Sequence, residues 1–254
     1  TAPCVAGTVD PSGLGKINGW ADNAAVNNTV LAIYGADLKG NLWKFDLDTA
    51  NAASYLKAFK LATLEDPDGN PQPVTTRPEL AYIDGHRAVF LGTGKLLGVS
   101  DKGTTQVQTV YGIRDDHPTD SDTIDARAET VAQSLGVHPD NPDWRTTTTN
   151  NPVDWDSVKG WHVDLPDTGE RVNVDPILQL GTLTVASNVP SADACTAGGY
   201  GYLNFFDIRT GLGIPTDGGS NQASIKIGGA LIVGINVIQL PGGKVKAIVT
   251  TAAN

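Results

Sequence analysis

Apolar and polar positions alternate with a period of two through most of this chain, in short runs separated by Gly, Pro, Asn and Asp. That period predicts half-buried β-strands. The organising stretch is Ile33-Tyr34-Gly35-Ala36-Asp37-Leu38-Lys39-Gly40-Asn41-Leu42-Trp43-Lys44-Phe45-Asp46-Leu47, which reads as two strands joined by a tight turn. Gly40 and Asn41 suit that turn because both tolerate positive φ. After it, Leu42, Lys44 and Asp46 alternate with Trp43, Phe45 and Leu47. A hairpin this short is not stable alone in water and needs neighbouring strands.

Neighbours are legible on both sides. Leu14-Gly15-Lys16-Ile17 predicts a strand within the loop-rich residues 1–30, and residues 55–61 predict the outer strand of the same unit. Residues 80–83 and 87–92 predict a hairpin about Asp84-Gly85, with residues 109–114 as a third strand. Between Ser121 and Gly136, Ile124, Ala128, Val131 and Leu135 recur at helical spacing, which predicts an inserted helix stopped by Gly136. Residues 138–157, with Thr146 to Thr149 in succession, read as an exposed loop. The alternation resumes at Trp161-His162-Val163-Asp164-Leu165. Residues 177–180, 183–188 and 201–208 form a third unit, and residues 225–227, 231–238 and 244–249 begin a fourth.

Aromatic strands ending in Asp thus recur: Tyr111 to Asp115 and Tyr202 to Asp207 echo the opening hairpin. Such recurrence predicts an all-β fold, a modified β-propeller of four-stranded antiparallel blades with one short inserted helix and long loops. Residues 1–254 are expected to form part of a single such domain, with about three blades, an incomplete one and an insertion near 115–157. A propeller closes on itself, so the remaining blades are expected from further polypeptide or a partner chain.

Composition narrows the function. The chain has 254 residues, 40% of them hydrophobic, enough for a sizeable core. Lys and Arg total 18 against 28 Asp and Glu, a net charge of −10. With no basic cluster, nucleic acid and anionic membrane are poor partners. No apolar run approaches the roughly 18 residues of a membrane-spanning helix. The opening at Thr1 reads as a mature or internal piece of a longer protein. Cys4 and Cys195 are the only cysteines. They allow one disulfide, two thiols or bridges to other polypeptide, and a mutual bridge would stabilise the fold by about 4–5 kcal/mol through chain entropy.

The hairpin from Tyr34 to Leu47 resembles the signature of the PilY1 family, type IV pilus tip and biogenesis proteins. Further stretches agree in the same order: Pro73-Val74-Thr75-Thr76-Arg77-Pro78-Glu79-Leu80, then Val89 to Gly98, Gln108 to Ile113, and Glu170-Arg171-Val172-Asn173-Val174-Asp175-Pro176. Ala192-Asp193-Ala194-Cys195 and Gly198 to Leu203, closing with Asp207 and Thr210-Gly211, complete the set. The resemblance implies the C-terminal propeller of a large secreted protein at the bacterial surface. It also implies partnership with minor pilins and the pilus tip, and roles in pilus assembly, twitching motility and attachment to host or abiotic surfaces. The family's calcium loop would fall at Asp22-Asn23-Ala24-Ala25-Val26-Asn27-Asn28-Thr29, where one carboxylate replaces the several that calcium needs.

Other candidates favour plain structural roles. Asp66-Pro67-Asp68-Gly69-Asn70 is calcium-loop-like but lacks the later acidic ligand and reads as a turn. Asp115, Asp116, Asp120, Asp122 and Asp125 read as an acidic loop capping a helix start. Gly92-Thr93-Gly94-Lys95 lacks the full phosphate-loop pattern. His86 and His162 read as surface or interior polar residues, and Trp43 and Trp161 as core between blades. No catalytic constellation is nominated, so no catalytic, cofactor or metal residue is assigned. The expectation is a non-enzymatic binding protein acting through broad faces and the segment near 115–157. The alternatives are a quinoprotein-type propeller dehydrogenase, whose hairpins are similar, and a processed structural subunit of a larger extracellular assembly.

Overall fold

The computed structural model describes residues 11–50, 52–115, 122–191, 198–215, 221–241 and 245–252. The first strands are β1 (Leu14–Trp20), β2 (Ala32–Asp37), β3 (Asn41–Asp46) and β4 (Ala58–Thr63), an antiparallel meander in chain order. Next come β5 (Glu79–Ile83), β6 (His86–Gly92) and β7 (Thr109–Asp115), with a 3-10 turn at Val99–Gly103. Then follow β8 (Ile124–Asp125), the single-turn helix α1 (Ala126–Glu129), β9 (Val131–Gln133), β10 (Leu135–His138), β11 (Asn141–Thr147) and β12 (Gly160–Asp164). The rest comprises β13 (Ile177–Gln179), β14 (Thr182–Pro190), β15 (Gly199–Asp207), β16 (Ile214–Pro215), β17 (Asn221–Gln222), β18 (Ser224–Ile227), β19 (Ile232–Gln239) and β20 (Val245–Thr251).

Three main sheets result, with strand orders β1-β2-β3-β4-β8, β5-β6-β7-β12-β9 and β10-β11-β18-β15-β14-β13. Strand alternation decides how they stack. In the second sheet Val89, Leu91, Tyr111 and Ile113 join a core with Tyr34, Leu42 and Leu61 of the first. The alternate residues Ala88, Phe90, Val110, Trp161 and Val163 join a second core with Leu183, Val185 and Phe206 of the third. The middle sheet is therefore buried on both faces, and its strands read as nearly continuous apolar runs for that reason. Trp161 lies between Phe90 and Phe206, with ring centroids 6.1 and 6.0 Å away. Gly112 makes room for this contact, because a Cβ there would stand 2.8 Å from both Phe90 and Trp161.

The organising hairpin forms as read. β2 and β3 pair from Ala32↔Asp46 to Ala36↔Leu42, and Gly40 takes φ 72° in the turn. Asp84 and Gly85 take φ 47° and 93°, the paired positive values of a two-residue hairpin whose twist matches its strands.

A propeller of four-stranded blades is not confirmed: the three main sheets hold five, five and six strands, and none closes among the described residues. Four further expectations fail. The helix expected over 121–136 shrinks to α1, and the loop expected over 138–157 contains β11. The reason is shared. Residues 124–147 form a strap that extends each sheet in turn: β8 pairs parallel with β4, β9 parallel with β12, and β11, with β10 at its outer side, antiparallel with β18. Ladder hydrogen bonds to three sheets outcompete a helix containing Thr130, Val131 and Gly136. Residues 225–227, read as the start of a fourth unit, pair with β15 and belong to the third sheet. That leaves β19 and β20 as a separate hairpin. The strand expected over 55–61 starts at Ala58, because Leu56 turns the chain at φ 59°.

Candidate functional site

The turns Asp37-Leu38-Lys39-Gly40-Asn41 and Asp66-Pro67-Asp68-Gly69-Asn70 share one chemistry. In the first, Asp37 Oδ1 accepts from the Lys39 and Asn41 N–H groups, both at 2.9 Å, and the Asn41 side-chain amide donates back to the carboxylate. In the second, Asp66 Oδ1 accepts from Asp68 N–H at 3.0 Å and Asn70 N–H at 2.9 Å, and the Asn70 amide again closes the ring. Gly40 and Gly69 hold the positive φ that each ring requires. Trp43 Nε1 adds a 3.0 Å bond to Asp37, and Gln106 Nε2 a 3.0 Å bond to Asp66. Burial works against ionisation of Asp66, but the hydrogen bonds from Asn70, Gln106 and Asp68 outweigh it and hold the carboxyl below its usual value. Both Asp66 oxygens thereby accept from N–H donors, as the tight turn requires.

Around the second turn the long β6–β7 connection is fastened in place. Gln72 Nε2 donates to Val107 O and Thr109 Oγ1, both at 2.7 Å. The Arg171 guanidinium donates to the carbonyls of Lys95, Asp101 and Thr104. Asp101 accepts from Leu97 N–H at 2.8 Å and Gly98 N–H at 3.0 Å. An open cleft of about 540 Å³ lies between residues 103–107 and the Asp66 turn. Leu97 and Val99 stand on the same fastened connection, 68% and 72% exposed. A fastened loop that exposes aliphatic side chains is suited to protein contact. It sets up no nucleophile–base pair.

Other residues singled out in the sequence fall elsewhere. Asp22 accepts from Trp20 Nε1 at 2.6 Å and pairs with Arg87 at 2.9 Å, and these contacts, Trp20 foremost, hold its carboxyl below the usual range. Its neighbours Asn23 and Asn27 bridge to each other across a small loop. Asp115 is buried against Lys44, at 2.7 Å, and Tyr34. Asp125 caps α1 by accepting from Arg127 and Ala128 N–H. Asp116, Asp120, Cys4 and Cys195 lie outside the described residues. Among the described residues no group of three or more His, Cys, Asp or Glu is placed to hold a metal ion. Gly94 packs at φ 134° against Arg171, so its loop serves the seam between sheets. His86 meets Asp156 at 2.9 Å on the surface. His162 is buried, with Nδ1 2.7 Å from Thr130 Oγ1, and burial followed by the Arg127 charge pushes its pKa down to about 4. Trp161 is core, as read. Trp43 is only half-buried, because the buried face of β3 carries Leu42, Lys44 and Asp46 instead.

One network was not legible. Arg145 of β11 meets Glu170 through two 3.0 Å bonds and Asp167 at 2.6 Å, with its guanidinium over the Tyr202 ring at 3.3 Å. Ser187 donates to Glu170, and Tyr200 donates to Asp167. The pair Arg145–Glu170 is almost fully buried. Arg145 stood in a Thr-rich stretch that read as loop, and a salt bridge across 25 positions leaves no local signal.

No family model matches the chain. A curated type IV pilus biogenesis factor PilY1 homolog of Xylella fastidiosa is 30% identical over 257 residues, covering 89% of this chain and 17% of that protein. PilY1 of Pseudomonas aeruginosa is 27% identical over 220 residues, covering 70% and 19%. The crystal structure of the P. aeruginosa PilY1 C-terminal domain superposes with TM-score 0.75 at 20% identity, over 96% of this chain and 60% of that one. The chain belongs to the PilY1 family. It corresponds to a part of the PilY1 C-terminal domain and spans less than a fifth of the curated relatives' length.

Proposed function

We propose that this chain is a non-enzymatic part of a type IV pilus biogenesis factor at the cell surface, working with minor pilins in pilus assembly and, through the assembled pilus, in twitching motility and surface attachment. The observation that carries the reading is the collinear similarity to PilY1 proteins over nine-tenths of the chain. The β6–β7 connection, with its exposed Leu97 and Val99, is the surface we assign to a protein partner. Calcium has no part in the proposal, because the single carboxylate of the family's loop position, Asp22, already serves Trp20 and Arg87.

The proposal includes a propeller. The meanders β1-β2-β3-β4 and β5-β6-β7-β12 and the set β18-β15-β14-β13 have the strand count of blades, stacked face to face, with β19–β20 opening the next. The strap then extends each blade at its edge. In-frame deletion of the encoding segment in the source organism tests the function. Surface pili counted by electron microscopy and twitching-zone diameter should both fall sharply, and a Leu97→Asp, Val99→Asp double variant should lower them without loss of protein. Normal piliation in the deletion strain would refute the assignment.

A further inference from the structure

We propose that the seam between the third sheet and the β19–β20 hairpin is a binding site for a small, neutral, largely apolar molecule bearing a carbonyl. The other two seams are filled by large side chains, Tyr34, Leu42 and Leu61 in one and Phe90, Trp161 and Phe206 in the other. This one holds a half-open cavity of about 290 Å³. Thr182 and Thr184 of β14, Phe205 of β15 and Ile225 of β18 form its floor. Val237 of β19 and Ala247 of β20, register partners, belong to its roof.

The register explains the floor. Thr184 pairs with Phe205, and Leu203 pairs with Ile225, so these side chains share one face of the sheet. That face lies opposite the one where Leu183, Val185 and Phe206 enter the core. Two of its positions are threonine, and the roof offers Val and Ala, so small side chains face each other where the cavity lies.

Gln222 supplies the second observation. It lines the cavity, and its Nε2 is buried with no hydrogen-bond partner among the described residues. A buried amide donor left unmatched is costly, and a ligand acceptor would relieve that cost. Among the described residues no charged one lines the cavity, so a charged ligand would lose its hydration without compensation from them. The volume lies at the lower end of the roughly 300–1,000 Å³ of small-molecule pockets, and is about twice the cavity of roughly 150 Å³ that accepts one benzene ring. A two-ring or medium-chain acyl compound with one ketone, ester or amide oxygen fits that description.

The test uses prodan, a neutral naphthalene ketone whose emission shifts to the blue in apolar surroundings, titrated into the full 254-residue chain. One saturable, blue-shifted site is expected. Ala247→Phe should abolish it, and Gln222→Leu should weaken it by about three- to ten-fold, each in a variant whose near-ultraviolet dichroism matches the parent. Hydrogen exchange on the unmutated protein provides a reading independent of the variants: prodan should slow amides of β18, β19 and β20. Absence of saturable binding, undiminished affinity in folded Ala247→Phe or Gln222→Leu, or protection confined to other strands would overturn the proposal.

Discussion

At the scale of single residues, the fold depends on polar groups placed where their ionisation state matters. His162 sits on the middle sheet facing Tyr111, 5.9 Å between ring centroids, with Thr130 on Nδ1 and the Arg127–Asp164 pair close by. Burial and the Arg127 charge outweigh the pull of Asp164 and lower its pKa from 6.5 to about 4. A histidine with a depressed folded pKa contributes stability at and above its unfolded pKa, and that stability is lost as the pH falls toward the folded value. Unfolding free energy should therefore decline between pH 6.5 and about 4, and His162→Gln should flatten the profile in that window. Asp66 acts in a different window. Its folded pKa lies below the ordinary 3.8, so its contribution is complete above that value and disappears as acid reaches the lowered pKa. Asp66→Asn should leave the profile above pH 5 parallel to the parent and reduce the further loss below pH 4. Urea titrations across pH 2–8 check both. Coincident slopes in parent and variant would contradict the stated causes.

Elements were legible where pairing is local and illegible where it is not. The Asp84-Gly85 hairpin declares itself through adjacent residues that tolerate positive φ, and the structure has both there. The strap does not, because its partners β4, β12 and β18 lie far away in sequence. Ile124, Ala128, Val131 and Leu135 mimic a helical stripe, yet they are shared among β8, α1, β9 and β10. Trp43 misled for a related reason: its alternation was clear, but which face would be buried depends on a sheet that local pattern does not reveal. The hydrogen bonds of Gln133 make the strap testable. Its buried amide donates to the carbonyls of Asn151 at 2.7 Å and Thr210 at 3.0 Å, while its oxygen accepts from Thr149 and Asn151. Gln133→Ala removes all four and leaves buried groups unmatched, so a loss of about 2–4 kcal/mol is expected. Chemical denaturation should show that loss, and hydrogen exchange should accelerate first in β9, β10 and β11. A loss below about 0.5 kcal/mol would mean that the strap is held by its ladders alone.

At the scale of the whole molecule, both ends of the stack are unfinished in the same way. The outer face of the first sheet carries Ile33, Trp43 and Phe45 half-buried, beside Leu14 and Ile17, each 48% exposed. The far end carries Val233 and Ile248 at 57% and 49%. Each such side chain would contribute roughly 1.5–3 kcal/mol if fully buried, and a smaller share from these partly buried positions. Under the proposed propeller these faces pack against blades made by polypeptide that the longer relatives carry. Extending the chain with the sequence adjoining it in its own gene should then raise Tm by about 10 °C or more, since 1 kcal/mol moves a domain of this size by roughly 2–4 °C. The same extension should slow exchange in β1 and β20, the strands at the two ends, while leaving the already enclosed β6 and β7 unchanged. The shorter chain should associate reversibly as its concentration rises, because exposed apolar sheet faces are themselves docking surfaces. The net charge of −10 opposes that association and salt should favour it, which sedimentation velocity at two ionic strengths can separate. If the extended protein melts where the short chain does, with β1 and β20 exchanging as before, the end faces are ordinary surface and the ring does not close through them.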